Sequence, residues 1–375
     1  MNRIGIACIV LGIAGCMPPE VPSYPRKGTP LEPTFSLLPS GSRDIVVPMR
    51  SGMSRAAGPG YRYIVHIERS DGGGPLHAVC IDGEHAYAAG AGGIVLRRSA
   101  HTGWKREESG TTHALRGFAV LPRSDGQQAD SDATIFAVGD TGTILRRDAA
   151  GWHAEPSGTT RDLHAVQFVG GALLAVGDGG TILEREETGS WRSIAAHTDA
   201  DLRAIADAGI AVGRAGAIVD CPRWASAERT SFACVPRPSP VDVDLWAFRG
   251  PFGQIVFGSG GLSLEREMSP GPAVYKTSRR FETTLRSAAT NFHSWAMEAG
   301  HDDVAVGDGG AIVIFPAGGD RSPPGDPATI RIPGSPTLDA VAFKELDGFA
   351  VGAGGTIVHL QIDGALVDYF ECPAV

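Results

Sequence analysis

From Ala89 onward the chain repeats one arrangement of apolar and polar positions: a short aliphatic run, a glycine-rich break, then a β-branched or aliphatic restart. The clearest copy is Val176-Gly177-Asp178-Gly179-Gly180-Thr181-Ile182-Leu183, and the seven copies occupy residues 89–96, 138–145, 176–183, 212–219, 257–264, 306–313 and 351–358. Such a phrase predicts a strand, a tight turn with glycine at positive φ, and a returning strand. The first glycines, from Gly90 to Gly352, step by a mean of about 44 residues, the length of one propeller blade.

A second element precedes each phrase. It reads Leu76-His77-Ala78-Val79, Leu115-Arg116-Gly117-Phe118, Leu163-His164-Ala165-Val166, Leu202-Arg203-Ala204-Ile205, Leu245-Trp246-Ala247-Phe248, Phe292-His293-Ser294-Trp295 and Leu338-Asp339-Ala340-Val341. The small third residue suits the crowded innermost strand of a blade. A third element follows some phrases: Gly103-Trp104 leads to Ser109-Gly110-Thr111-Thr112, Gly151-Trp152 to Ser157-Gly158-Thr159-Thr160, and Gly189-Ser190-Trp191 is a looser copy. Three elements in fixed order supply four strands per blade.

The expected fold is therefore all-β, one seven-bladed β-propeller over residues 61–375. Solenoid repeats are shorter, at roughly 20 to 30 residues, and sandwiches have no reason to write one turn seven times. Phe281, Leu285 and Ala288 have helical spacing, which predicts one short helix on a connecting loop over 280–289. Two segments are candidates for the strand that closes the ring, Tyr61 to Ser70 and Leu366 to Cys372.

Composition agrees with a turn-rich fold. Of 51 glycines the seven phrases hold 19. The hydrophobic share of 42% and charged share of 20% exclude wholesale disorder, and no Gly-X-Y period supports collagen. Nine prolines fall between Pro18 and Pro59, a density that favours extended, semi-rigid chain. Residues 16–60 are read as a linker.

The first residues, MNRIGIACIVLGIAGC, set one cation at Arg3 before an apolar stretch and small residues. This is the layout of a cleaved signal over 1–15, too short for a permanent span. The ending Ile13-Ala14-Gly15-Cys16 resembles the lipobox of bacterial lipoproteins, which implies cleavage before Cys16 and lipid attachment to its sulfur. The expected address is the cell envelope, with the lipid as the only membrane contact. Met17 after the lipidated residue favours the outer membrane by resemblance to a Gram-negative sorting rule.

A net charge of −9, with no Lys/Arg run longer than a pair, excludes a phosphate-gripping nucleic-acid binder. In an exported chain the four remaining cysteines, Cys80, Cys221, Cys234 and Cys372, suggest two disulfides with three connectivities. Cys221 and Cys234 could staple one hairpin, and Cys80 with Cys372 could clasp the two ends of the ring. No CxxC pair or matching His spacing supports zinc.

The repeats resemble the propeller family of the photosystem II stability and assembly factor, whose pattern is a leucine-led inner strand, then Ala-Val-Gly-Asp-x-Gly-Thr-Ile-Leu, then Asp-Gly-Gly-x-Thr-Trp. The resemblance covers 76–375 and implies a membrane-proximal, non-catalytic assembly scaffold. Its Asp-Gly-Gly-x-Thr-Trp box survives here only as Gly-Trp remnants. Those remnants also touch on the Asp-box of sialidase-like propellers, but no complete box is present.

The start of the inner strand and the glycine turn should open on one face. That mouth would gather His77, Arg116, His164, Arg203, Trp246, His293 and Asp339 with the turn carboxylates Asp140, Asp178 and Asp308, able to bind an anionic or aromatic peptide element. The competing reading has the aspartates accepting backbone bonds in their own turns and the cations pairing with them across blades. Asp242, Asp244, Asp302 and Asp303 lack calcium-loop spacing and read as solvated loop charges. No Gly-x-Ser-x-Gly, His-Glu-x-x-His or Walker A motif occurs, so no catalytic residue, metal or cofactor is expected. The expected function is an envelope scaffold binding an envelope protein or complex; the alternative is a glycan-binding or glycoside-hydrolysing propeller.

Overall fold

Alternation of strand and glycine turn builds seven antiparallel sheets. The computed structural model describes residues 34–37, 43–49, 61–69, 74–83, 85–99, 102–121, 134–221, 234–250, 253–267, 272–290, 303–315, 327–334, 336–344 and 347–363. Blades one to six are four-stranded sheets over 76–107, 115–154, 163–194, 202–237, 245–280 and 285–331. Blade seven joins three strands over 338–363 to strands from the other end of the chain. The innermost strands are Leu76–Asp82, Leu115–Val120, Leu163–Val169, Leu202–Ile205, Leu245–Arg249, Leu285–Thr290 and Leu338–Lys344. Each touches the next and the seventh touches the first, so the protein is a closed seven-bladed β-propeller.

Closure comes from Tyr61–Arg69, which pairs antiparallel with Thr356–Asp363 in the register Arg62↔Asp363 to Arg69↔Thr356. Of the two candidates for this role, the N-terminal one holds it; 366–372 lies outside the described residues. Two further strands, Arg43–Met49 and Thr34–Leu37, extend the same sheet. The proline-rich stretch read as linker thus contains sheet. Pro48 is tolerated because Thr34–Leu37 pairs only with residues 43–46, leaving one side of Pro48 without a ladder.

Hydrophobic burial is distributed between blades, with no single centre. One cluster joins Val304, Ile312 and Ile330 of blade six to Leu338, Ala350 and Leu360 of blade seven; another joins Phe349 and Val351 to Leu76, Ala88 and Ile94 of blade one. The second strand of a blade is covered on both faces, so Ile135–Gly139, Ala172–Gly177 and Ile210–Gly213 are buried throughout and read as apolar runs. Outer strands such as Tyr275–Arg280 are largely exposed.

The leucine that opens each inner strand is fully buried in all seven blades: Leu76, Leu115, Leu163, Leu202, Leu245, Leu285 and Leu338 are each 0% exposed. Each pairs with the first glycine of its blade's phrase, as Leu163 with Gly177 and Leu338 with Gly352. Gly177 has φ −168°, ordinary extended backbone. It must be glycine because a Cβ there would lie 2.0 Å from the Asp162 carbonyl oxygen. The later glycine is constrained twice: Gly93 has φ +68°, and its Cβ would meet the Thr111 carbonyl oxygen at 2.0 Å. The position before it also has positive φ but faces open space at Gly92, and it accepts Thr141 and Ala215 in other blades.

The predicted helix over 280–289 is not formed. These residues end the strand Tyr275–Arg280, turn, and begin the inner strand Leu285–Thr290 of blade six. Their apolar spacing has another cause: Phe281 packs in the turn against Phe257 and Phe315, while Leu285 is the inner leucine.

The Gly-Trp remnants are ties between blades. Trp104 Nε1 donates to Glu68 of the closing strand at 3.0 Å, Trp152 Nε1 to Glu107 of blade one at 2.9 Å, and Trp191 Nε1 to Glu155 after the outer strand of blade two at 2.9 Å. Arg147 and Arg185 each grip the same carboxylate, Glu107 and Glu155, with two nitrogens. In blade four the sulfurs of Cys221 and Cys234 lie at bonding distance, 2.07 Å, across the hairpin that pairs Asp220 with Val235. Cys80 is buried beside Tyr87 and Ile135. Burial, with the nearby Asp82 charge, pushes its thiol far above the usual range. Cys372, its candidate clasp partner, lies outside the described residues.

Burial alone would raise the Glu155 carboxyl, but bonds from Arg185 and Trp191 and the charges of Arg185 and Arg146 outweigh it and hold it below the usual carboxylate range. A depressed carboxyl stabilises the fold above its unfolded value, and that contribution fades as pH falls through the folded one. Glu155→Gln should therefore lower stability at neutral pH by about 1–2 kcal/mol and flatten the acid-side decline. Chemical denaturation at several pH values checks this, and a decline parallel to that of the unchanged chain would refute the assignment. Gly93→Ala should cost at least ~1 kcal/mol more than Gly92→Ala, because both incur the positive-φ penalty and only Gly93 meets a carbonyl. Equal midpoints in thermal unfolding would contradict it.

Candidate functional site

Immediately after the leucine–glycine pair, the ladder slips in every blade. In blade three Leu163 faces Gly177 and Ala165 faces Val176, so His164 has no partner; the same irregularity leaves out His77, Arg116, Arg203, Trp246, Arg286 and Asp339. A bulge re-aims the side chain of its extra residue. Here all seven line one cavity of about 440 Å³ bordered by every inner strand. The mouth is thus a product of one local rule applied seven times.

The blade-six member is Arg286, not His293. The inner strand there is Leu285–Thr290, and His293 lies outside the described residues. Leu285-Arg286-Ser287 carries the leucine and small-residue frame of the other blades, with arginine between them as in blades two and four, a signal present in the sequence.

Most of the mouth is internally paired. Asp140 accepts from Arg116 Nε, His164 Nε2 meets Asp178 Oδ1 at 2.6 Å, and Arg286 Nε donates to Asp308 Oδ1 at 2.5 Å. The turn carboxylates therefore serve the bulged residue of their own blade. His77 Nδ1 meets Asp339 Oδ2 at 3.0 Å, across the seam between blades one and seven. Trp246 donates from Nε1 to Ser259 Oγ at 2.9 Å and carries two guanidiniums, Arg203 and Arg286, each 4.8 Å from its ring centroid. Arg203 has no carboxylate partner among the described residues, and its Nε is buried without a hydrogen bond.

The backbone of each turn is held by a residue that sequence reasoning passed over, the one preceding the inner leucine. The Asp162 carbonyl accepts from Asp178 N in its own blade at 2.9 Å, while its carboxylate accepts from Thr141 N in the preceding blade at 2.8 Å. Asp201 does the same for Arg214 N and Gly179 N, and Asp244 for Ser259 N and Ala215 N. Asp244 is thus a tie between blades four and five, not a solvated charge. Asp303 is buried and bonded to Arg249 Nε at 2.6 Å. The visible signal was Asp-Leu written three times, at 162–163, 201–202 and 244–245.

A second groove, of about 670 Å³, runs along blade two past Thr111, Thr141, Ser157 and Arg161. Its polar atoms serve the fold: Ser157 Oγ donates to the Thr159 carbonyl and Arg161 Nη1 to that of Gly179. Among the described residues no group of three or more His, Cys, Asp or Glu side chains could hold a metal ion. Tyr63, Tyr87 and Tyr275 are buried, and the Tyr275 hydroxyl donates to the Gly253 carbonyl at 2.7 Å.

Fold and site together define a seven-bladed propeller with a charge-paired axial mouth. No protein-family profile and no curated protein matches the sequence. Among solved structures the chain is similar to YCF48 bound to a D1 peptide, with TM-score 0.56 and 12% identity over 80% of this chain and 97% of that one. It is also similar to the WD40 propeller domain of Doa1, with TM-score 0.56 and 12% identity over 78% and 94% of the two chains. Virginiamycin B lyase from Staphylococcus aureus superposes with TM-score 0.59 and 10% identity over 80% and 99%. These likenesses establish the propeller fold, shared with YCF48 as the repeats led one to expect.

Removing the double tie at Asp162 tests the account of how the turns are held. Asp162→Ala should lower stability by about 1 kcal/mol and raise hydrogen exchange at Thr141 N, while Asp178 N, bonded to the backbone carbonyl, stays protected. Unchanged exchange at Thr141 N would refute it.

Proposed function

We propose that the protein is a lipid-anchored, non-catalytic scaffold of the cell envelope that binds a protein partner at the axial mouth. The observation that carries the reading is the mouth itself: seven bulged side chains, mostly polar, converge on one cavity, and their pairing leaves arginine and tryptophan surface for a ligand. Arginine and tryptophan are the side chains that most often anchor protein interfaces. Two of the similar propellers support a binding role, since YCF48 has been seen with a peptide bound and Doa1 carries a WD40 domain. The signal-like start and Cys16 support export and anchoring, with the outer membrane favoured by Met17.

Three measurements test this. Cys16→Ser should move the protein from the membrane fraction to the soluble fraction; retention in the membrane would sink the anchor. Capture with the lipid-anchored chain from solubilised membranes should enrich one envelope protein or complex. Arg116→Ala with Arg203→Ala should cut that capture about tenfold or more while the unfolding midpoint shows the domain intact. Retention on a glycan array with no protein captured would replace this reading by the glycan-binding alternative.

A further inference from the structure

In blades two, three and six, the bulged residue of the inner strand and the first residue of the turn form one unit. The first is cationic or protonatable, the second is aspartate, and the two side chains bond: Arg116 with Asp140, His164 with Asp178, Arg286 with Asp308. Blade four has the same backbone register, with Leu202 facing Gly213 and the slip falling at residue 203. Its pair is Arg203 and Arg214. Two cations stand where three other blades set a cation against a carboxylate.

Among the described residues Arg203 meets no carboxylate, and Arg214 meets one only at long range. Arg214 is 67% exposed on its side chain, and its nearest acid contact is Asp201 Oδ2 at 3.7 Å. Asp201 is already engaged through Oδ1 with Gly179 N. Arg203 is held by stacking on Trp246 and by no carboxylate among the described residues. Arg286 shares the Trp246 ring, with Asp308 as its one carboxylate among the described residues. Asp207 also borders the cavity, beyond the opposite end of the strand that carries Arg203. The sector from blade four to blade six is the cationic arc of an otherwise balanced mouth.

We propose that Arg203 and Arg214 form a carboxylate notch, completed by an aspartate or glutamate side chain of a peptide partner that takes the place the turn aspartate holds in blades two, three and six. This rests on the scaffold reading and names the chemistry of its contact. A carboxylate is chosen because the fold seats one at this position three times, and Trp246 supplies an apolar wall beside it. Charge-assisted bonds to arginine are strong where water is partly excluded.

The test uses the full chain in detergent and isothermal titration with C-amidated tetraglutamate, tetraglutamine with a free C-terminus, and inorganic phosphate. Tetraglutamate should bind, and Arg203→Gln should weaken it about tenfold or more. Arg214→Asp installs the residue of the paired blades, so it should give Arg203 an internal partner. It should abolish tetraglutamate binding while thermal stability holds or rises. Unchanged binding by Arg214→Asp would overturn the notch. So would tighter binding of phosphate, or equal binding of tetraglutamine through its terminal carboxylate. A chain that binds tetraglutamate yet captures no membrane protein would instead defeat the scaffold reading and leave the notch standing.

Discussion

Everything in this ring hangs on the contact between a buried leucine and a glycine with no room for a side chain. The inner leucine must fill the narrow space near the axis, so its strand sits close against the next. The carbonyl that precedes it then points at the glycine's Cα, as the Asp162 carbonyl does at Gly177. From that approach follow the hydrogen bond to the turn, the slip in the ladder one residue later, and the projection of the bulged side chain into the mouth. Packing and the lining of the mouth are two results of one close contact.

The glycine also explains why the blades can hold one another. A turn pressed against its own inner strand presents its next N–H outward, where the aspartate of the following blade reaches it. One residue thus fixes two turns, with its carbonyl in one blade and its carboxylate in the other. At the rim a different set of ties, indole to carboxylate, links blade seven to one, one to two and two to three, and in the last two an arginine grips the same carboxylate. Blade four, whose outer strands are only three residues long, carries the close Cys221–Cys234 pair instead.

The repeat made the blade count legible because each copy obeys the same steric rule, and the rule leaves glycine no substitute. It misled at blade six for an equally physical reason. Phe292 stands 15 residues before Gly307, close to the 14 that separate Leu76 from Gly90, whereas Leu285 stands 22 before it. A long stretch of chain between first and second strands, as in blade two from Leu115 to Gly139, costs little because loop closure grows only slowly with length. The leucine and small-residue frame was the better guide, since it reports what the axis demands. Arg280 to Ala289 misled similarly: three apolar residues at helical spacing belong to a turn and a strand that bury them in one cluster between blades five and six.

What the letters could not convey was the pairing state of the mouth. His77, Arg116, His164 and Arg203 look equivalent in the chain, yet three are bonded to carboxylates and Arg203, among the described residues, is not. The difference lies in a turn residue eleven positions after Arg203, where Arg214 replaces aspartate. Seven-fold repetition makes a symmetric scaffold, and function on such a scaffold enters through the copy that departs from the rule. Blade four departs in charge, in strand length and in its cysteines, and the departure in charge is the one that reaches the mouth, at Arg203.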